Sequence, residues 1–120
     1  KKAYQNGKIL CGVSAGAICW FEQGITASWA SNLNTMDCLG FVEGMACPHY
    51  QEEEDRRPSV HEMLKKGTCM PGYAIDGGAA VHIVNGKYHK SLQFYPDSHV
   101  YQVSYKDNIV EEQKMKMVEL

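Results

Sequence analysis

The 120-residue sequence lacks the long apolar runs and the charge excess that mark several classes of protein. No apolar run approaches the roughly 20 residues that a membrane-spanning helix requires, so the sequence predicts no membrane segment. Twelve lysines and arginines nearly balance fourteen aspartates and glutamates, which gives a formal net charge of −2. This balance gives no reason to expect nucleic acid or an acidic membrane as a partner.

The five cysteines also lack the spacing of a structural framework. Their number is odd and no two have C-x-x-C spacing, which argues against a disulfide scaffold and against a zinc site. Free cysteines in apolar surroundings behave as small core residues. The pattern is typical of a reducing compartment, so we expect a cytoplasmic protein. We also expect that the protein requires neither a metal nor another cofactor.

The remaining composition, 44% hydrophobic and 22% charged, is that of an ordinary globular domain. The sequence begins with K-K-A-Y rather than with methionine, and its first chemically suggestive stretch follows within twenty residues. We expect residues 1–120 to be the C-terminal, nucleophile-bearing part of a single α/β domain. The N-terminal part of the sheet would then be missing, and a missing segment or another chain would complete it, with a homodimer as one such arrangement.

That first stretch is G-V-S-A-G at residues 12–16, which lies between an apolar run and a helix-like run. We predict a buried strand over residues 8–13 and a helix over residues 15–23, ended by Gly24. A strand, a sharp turn and a helix in this order form the layout of a nucleophile elbow, with Ser14 at the apex.

The residues around the serine fit this interpretation. Gly12 and Gly16 have no Cβ, so the strand and the helix could approach each other closely. The backbone N–H of Ala15, at the start of the helix, would donate a hydrogen bond to a developing oxyanion. The same G-x-S-x-G pattern also occurs in ordinary glycine-rich turns, so the motif needs partners elsewhere in the chain.

Two candidate partners follow predicted strand ends. The apolar segment 38–47 contains two glycines and is followed by P-H-Y at residues 48–50. This places His49 just beyond the end of a predicted strand. Asp76 follows a predicted strand over residues 72–75 and precedes two glycines. A serine hydroxyl needs a neutral imidazole as its base, and a carboxylate that orients the imidazole. The sequence therefore suggests a triad of Ser14, His49 and Asp76.

Other residues compete for these roles. Asp37 and Glu43 compete with Asp76, and Asp37 would give the chain order of α/β-hydrolases. The remaining histidines are predicted on solvated or sheet-face positions: His61 on a helix, His82 within a strand, and His89 and His99 beside turns and exposed. The other predicted elements are a loop or edge strand at 25–29, a helix over 58–66 ended by Gly67, strands over 79–84 and 100–105, and turns at 85–86 and 106–108.

Taken together, these motifs resemble the peptidase E (aspartyl dipeptidase) family of serine peptidases, which is related to cyanophycinases. The resemblance rests on G-V-S-A-G-A-I-C-W-F from residue 12, C-P-H-Y from residue 47, R-R at 56–57 and A-I-D-G-G-A-A from residue 74. It extends from residue 8 to about residue 105. It implies a three-layer αβα fold like that of class I glutamine amidotransferases, with serine in place of their nucleophilic cysteine.

The resemblance also implies roles for individual residues. By position, Ser14 is similar to the family's nucleophile, His49 to its general base and Asp76 to its orienting acid. Peptidase E cleaves short peptides with an N-terminal aspartate. Arg57 is similar to an arginine of the family near this helix, with Arg56 as its competitor, and a guanidinium suits an aspartyl carboxylate through paired hydrogen bonds.

Two departures leave alternatives open. Relatives often carry an acid in the loop after the elbow helix, where this sequence has alanine and serine at 27–28. The family's N-terminal half, with its glycine-based oxyanion donor, is not in this sequence, so the activity of this chain alone is open. The alternatives are another serine hydrolase, of cyanophycinase or esterase type, and a non-catalytic binding module.

Overall fold

The computed structural model describes residues 10–12, 15–26, 34–50 and 56–119. In these residues the chain forms two helices and nine strands. In chain order they are α1 (Ala15–Ile18), β1 (Phe21–Thr26), β2 (Asn34–Asp37), β3 (Val42–Cys47), α2 (Arg56–Lys66), β4 (Gly72–Ile75), β5 (Ala79–Val84), β6 (Lys87–Gln93), β7 (Val100–Lys106), β8 (Ile109–Lys114) and β9 (Met117–Glu119). Neither described helix is long and apolar enough to cross a membrane.

The strands form a mixed six-stranded sheet in the order β2-β1-β3-β4-β7-β8 and a small sheet in the order β5-β6-β9. Strands β1, β3 and β4 run parallel, whereas β2, β7 and β8 pair antiparallel with their neighbours. Parallel neighbours need a crossover connection, and α2 lies in the one that joins β3 to β4. As a result, the carboxyl ends of β3 and β4 lie at the same edge of the sheet.

Alternate residues of the central strands feed two apolar clusters on opposite faces of the large sheet. Met45 of β3 and Ala74 of β4 pack in the cluster that holds Val60 and Leu64 of α2. The neighbouring Ala46 lies in the other cluster, which α1 and β5 also contact. The fold is therefore mixed α/β with both faces of the central strands covered. It is compatible with the predicted αβα class, and the amidotransferase-like details stay a prediction.

The elbow region differs from the sequence prediction. Residues 10–12 carry no strand, and the rest of the predicted strand 8–13 lies outside the described residues. The predicted helix 15–23 is wrong beyond Ile18, because residues 21–26 form β1. That strand pairs with β2 on one side and with β3 on the other, and this pairing overrides the local helical pattern.

Gly24 consequently has a different role from the predicted helix stop. It lies inside β1, where a Cβ would come within 2.7 Å of the Cδ1 atom of Ile18. The missing side chain lets α1 pack directly on the strand. The adjacent Ile25 and Thr26 belong to this inner strand rather than to a loop or an edge strand.

Several other elements confirm the predictions from turn chemistry. Helix α2 begins two residues earlier than predicted and ends at Lys66, before Gly67 with φ of 72°. Strands β4 and β5 have the predicted bounds, and β7 extends one residue further. Positive φ angles at Asn85 and Gly86, and again at Asp107 and Asn108, match the two-residue hairpin turns that such residues favour.

Candidate active site

The candidate site lies at the carboxyl edge of β3 and β4. His49 follows β3 by two residues, and Asp76 comes directly after β4. The backbone N–H of Tyr50 donates to the carbonyl of Ile75 at 3.2 Å, which ties the two chain segments together just beyond the strands. The structure therefore brings both predicted residues to one edge, where open α/β sheets place their functional groups.

The turn at His49 is backbone-strained. Its φ of 54° lies in the left-handed region, which is uncommon for a residue other than glycine, although histidine enters it more often than most. Such a conformation costs on the order of 1–3 kcal/mol and persists only where the surroundings enforce it. Here the turn directs the next residue, Tyr50, into the core, while His49 stays half-buried at the sheet edge.

Asp76 is buried and anchored by the chain before β7. Its Oδ2 atom accepts a hydrogen bond of 2.9 Å from the backbone N–H of His99, and its own N–H donates to the carbonyl of His99 at 3.0 Å. The side chain is one of four buried polar or charged residues among those described. His99 was predicted to be exposed, but it is half-buried, and its backbone fixes the candidate acid.

The two competing acids occupy different positions. Asp37 lies on the edge strand β2, where it pairs with Gln23 of β1. Strand β2 runs antiparallel to β3, and Glu43 is the second residue of β3. Both are exposed and lie towards the amino end of the parallel strands. Asp76 is therefore the one of the three that shares the sheet edge of His49.

Ser14, the serine of the predicted elbow, lies outside the described residues. The structure therefore gives no distance between Ser14 and His49. Helix α1 begins at Ala15, as predicted, and the elbow itself stays a prediction. A Cβ on Gly12 would clash with the carbonyl oxygen of Gly16, so the predicted close approach is confirmed at Gly12. At Gly16, a Cβ would meet none of the described residues within 4 Å.

The two arginines at the start of α2 differ in exposure. Arg56 is buried, whereas the side chain of Arg57 is 41% exposed. The guanidinium carbon of Arg57 lies 5.0 Å from the ring centroid of Tyr50 and 5.1 Å from that of Tyr101. Both distances are within the range of cation–π attraction. Arg57 thus presents a restrained cation next to the residue that follows His49.

Glu112 of β8 joins this cluster from the far end of the chain. Its Oε1 atom accepts a hydrogen bond from the hydroxyl of Tyr50 and lies 3.3 Å from Nε of Arg57 and 3.0 Å from Nε2 of His61. His61 is half-buried in this contact, so the predicted solvated position is wrong. Sequence reasoning missed Glu112, because its contacts with Tyr50, Arg57 and His61 depend on where β8 packs and leave no local signal.

Interactions within the cluster favour the charged forms of Glu112 and Arg57. Partial burial of Glu112 would raise its pKa, but hydrogen bonds from Tyr50 and His61 and the charge of Arg57 together lower it. Burial opposes the charge of Arg57, yet its tyrosine partners and Glu112 raise its pKa. Burial and the Glu112 carboxylate also raise the pKa of Tyr50 well above its usual range, so this hydroxyl remains a donor.

No group of three or more potential ligands in the described residues could hold a metal ion. The chemistry that these residues can support is acid–base chemistry by His49, with Asp76 as a buried carboxylate at the same edge. Open α/β sheets place their functional groups at the carboxyl ends of their strands, and His49 and Asp76 both lie at such an edge.

Comparison with known proteins identifies the family. The profile of peptidase family S51 matches residues 1–91, and the chain belongs to that family. This confirms the resemblance to the peptidase E family. The chain is 42% identical over 103 residues to "Uncharacterized peptidase YgaJ" from Bacillus subtilis (strain 168). That alignment covers 86% of this chain and 44% of the relative, so the chain spans less than half of that protein's length. No solved structure gives a significant match.

Proposed function

We propose that this chain is the nucleophile-bearing part of a serine peptidase that hydrolyses short peptides, with dipeptides that begin with aspartate as the preferred substrates. The observation that carries the proposal is the common sheet edge of His49 and buried Asp76 in a member of peptidase family S51. The helix that begins directly after Ser14 supports the serine as nucleophile.

The proposed mechanism follows from these positions. His49 removes the proton of the Ser14 hydroxyl as its oxygen attacks the scissile carbonyl, and Asp76 orients and stabilises the imidazolium that forms. The N–H of Ala15 donates to the oxyanion, together with a second donor from the N-terminal part of the full-length protein. His49 then protonates the leaving amine, and water hydrolyses the acyl-enzyme.

For substrate recognition we propose Arg57 rather than Arg56. A guanidinium binds a carboxylate through two parallel hydrogen bonds, which suits the side chain of an N-terminal aspartate. Arg56 is buried, whereas Arg57 is partly exposed and lies against Tyr50, next to His49. These differences favour Arg57 as the residue that a substrate reaches.

We also propose a cytoplasmic location and a partner that completes the fold. All five cysteines are free, which fits a reducing compartment. Leu39, Phe94 and Ile109 are large apolar side chains with about 60% of their surface exposed. The N-terminal part of the full-length protein, or a second copy of this chain, would be that partner.

The nucleophile is tested by labelling the full-length protein with a fluorophosphonate probe. We expect labelling that Ser14→Ala abolishes and that the matched control Ser104→Ala, on β7, leaves intact. A wild-type protein that folds but does not react would refute the serine hydrolase and favour a non-catalytic binding module.

The substrate class is tested with the dipeptides Asp-Leu and Asn-Leu, which differ in the charge of one side chain. We expect Arg57→Gln to lower kcat/KM for Asp-Leu about 100-fold and to change that for Asn-Leu little, because one charge-assisted contact is lost. A labelled enzyme that leaves Asp-Leu intact would instead be a hydrolase of cyanophycinase or esterase type.

A further inference from the structure

Glu112 lies outside the part of the chain that the family profile matches, yet its carboxylate contacts the proposed substrate-binding arginine. We infer that Glu112 is a positioning residue, which fixes the guanidinium of Arg57 in the orientation that receives the carboxylate of an N-terminal aspartate. This inference rests on the proposed function, because it assigns Glu112 a role only through Arg57.

Several restraints meet at Arg57. Its guanidinium lies against the rings of Tyr50 and Tyr101, and its Nε atom is 3.3 Å from Oε1 of Glu112. Two aromatic faces limit the tilt of the guanidinium plane, and the Glu112 carboxylate attracts the guanidinium on its Nε side as an ion pair without a hydrogen bond. A long side chain that is already ordered loses less entropy when a substrate binds.

Glu112 is itself held in place by residues other than Arg57. Its Oε1 atom accepts from the hydroxyl of Tyr50 and lies 3.0 Å from Nε2 of His61, so the carboxylate is fixed independently of Arg57. Tyr50 directly follows His49, the proposed base. The same tyrosine therefore links the position of the arginine to the position of the catalytic edge.

Glu112 approaches one particular atom of the Arg57 guanidinium. A guanidinium offers five N–H donors in a rigid fork, and the contact with Glu112 is at Nε. A carboxylate that competed with the substrate would bind Arg57 in the same way as the substrate does. Glu112 instead faces the buried Nε atom, which makes no hydrogen bond to a described residue, and 41% of the arginine side chain stays exposed to solution.

The test compares Glu112→Gln with Glu111→Gln in the full-length protein. Glutamine keeps the shape of the side chain and removes its charge, and Glu111 is the exposed neighbour on the same strand. For Asp-Leu we expect Glu112→Gln to raise KM about tenfold with kcat changed less than about twofold, because binding is lost before the chemical step. Kinetic constants for Asn-Leu, and all constants of Glu111→Gln, should remain those of the wild type.

A second measurement separates this role from a loss of folding. In a Ser14→Ala background, calorimetric titration with Asp-Leu should show the same roughly tenfold weakening for Glu112→Gln, with the active fraction reported by the stoichiometry. A structural role alone would lower the stoichiometry and leave the affinity of the folded fraction unchanged, which would overturn the inference. Tighter binding of Asp-Leu would also overturn it, because it would make Glu112 a competitor of the substrate.

The same experiments distinguish the inference from the proposal on which it depends. If Arg57→Gln abolishes the preference for Asp-Leu while Glu112→Gln does not weaken it, the positioning role is wrong and the proposed specificity stands. If the wild-type enzyme does not prefer Asp-Leu to Asn-Leu, both the proposed specificity and the role of Glu112 are wrong.

Discussion

Gly12 offers the most direct test of the elbow geometry. A Cβ at this position would approach the carbonyl oxygen of Gly16 about 1 Å more closely than the 3.0 Å limit that real Cβ contacts respect. It would also lie 2.7 Å from the backbone nitrogen of Ala17. These are backbone atoms, so no side-chain rotation can relieve the clash. The chain on either side of Ser14 must therefore move by about 1 Å in Gly12→Ala.

The expected effects follow from that displacement. A shift of about 1 Å in a catalytic group can cost about 100-fold in rate, so we expect kcat to fall by about that factor. Overpacking of this kind costs about 1–3 kcal/mol of stability. The restriction that alanine places on the unfolded chain offsets about 0.4–1 kcal/mol of this cost. The net loss in the free energy of unfolding should be about 1–2 kcal/mol.

Gly16→Ala is the matched control, because the same change is made four residues later in open space. Alanine favours a helix over glycine by about 1 kcal/mol, so this variant in α1 should be neutral or slightly stabilised. Urea unfolding of the full-length protein measures stability, and the rate of fluorophosphonate labelling measures the reactivity of Ser14. If the two variants behave alike, or if Gly16→Ala is the more damaged, the close approach at Gly12 is refuted.

Two further predictions concern ionisable groups. The pKa of Glu112 is lowered from 4.5, so its charge stabilises the folded state above that pH, and the stabilisation is lost as the pH falls through the lowered value. Urea unfolding should therefore separate wild type from Glu112→Gln in neutral buffer and bring them together in acid; a gap that widens in acid would contradict this. Burial raises the pKa of Cys69 to about 11, so a brief iodoacetamide pulse at mildly alkaline pH should label it at least about 100-fold more slowly than the exposed Cys11, as peptide mass spectrometry would show. Equal labelling in the folded protein, with urea-unfolded protein as the control, would contradict the burial of Cys69.

Local chemistry in the sequence was enough to predict the strand ends of the site. Proline before His49 and the glycines after Asp76 mark strand ends, and β3 and β4 end where expected. The positive-φ turns at 85–86 and 107–108 were predictable for the same reason, since few residue types accept that conformation. These features depend on a few neighbouring residues and on nothing distant.

The remaining features depend on contacts that have no local signal. Residues 21–23 satisfy a helical pattern, but pairing of β1 on both edges makes them a strand. Glu112 is 51 residues from His61 in sequence, and the two meet because β8 completes a sheet beneath α2. The anchoring of Asp76 by the backbone of His99 was equally hidden, because it depends on the β4–β7 pairing rather than on residue type.

The topology of the sheets has a kinetic consequence. The β5–β6 and β7–β8 hairpins each close over two residues, and hairpins form in about 1–10 μs. The parallel β3–β4 pairing must first close the loop that contains α2, and pairings distant in sequence form later. We therefore expect both hairpins to form before the β3–β4 pairing brings His49 and Asp76 to one edge. On the proposed mechanism, a chain with both hairpins formed would still lack the edge at which hydrolysis takes place.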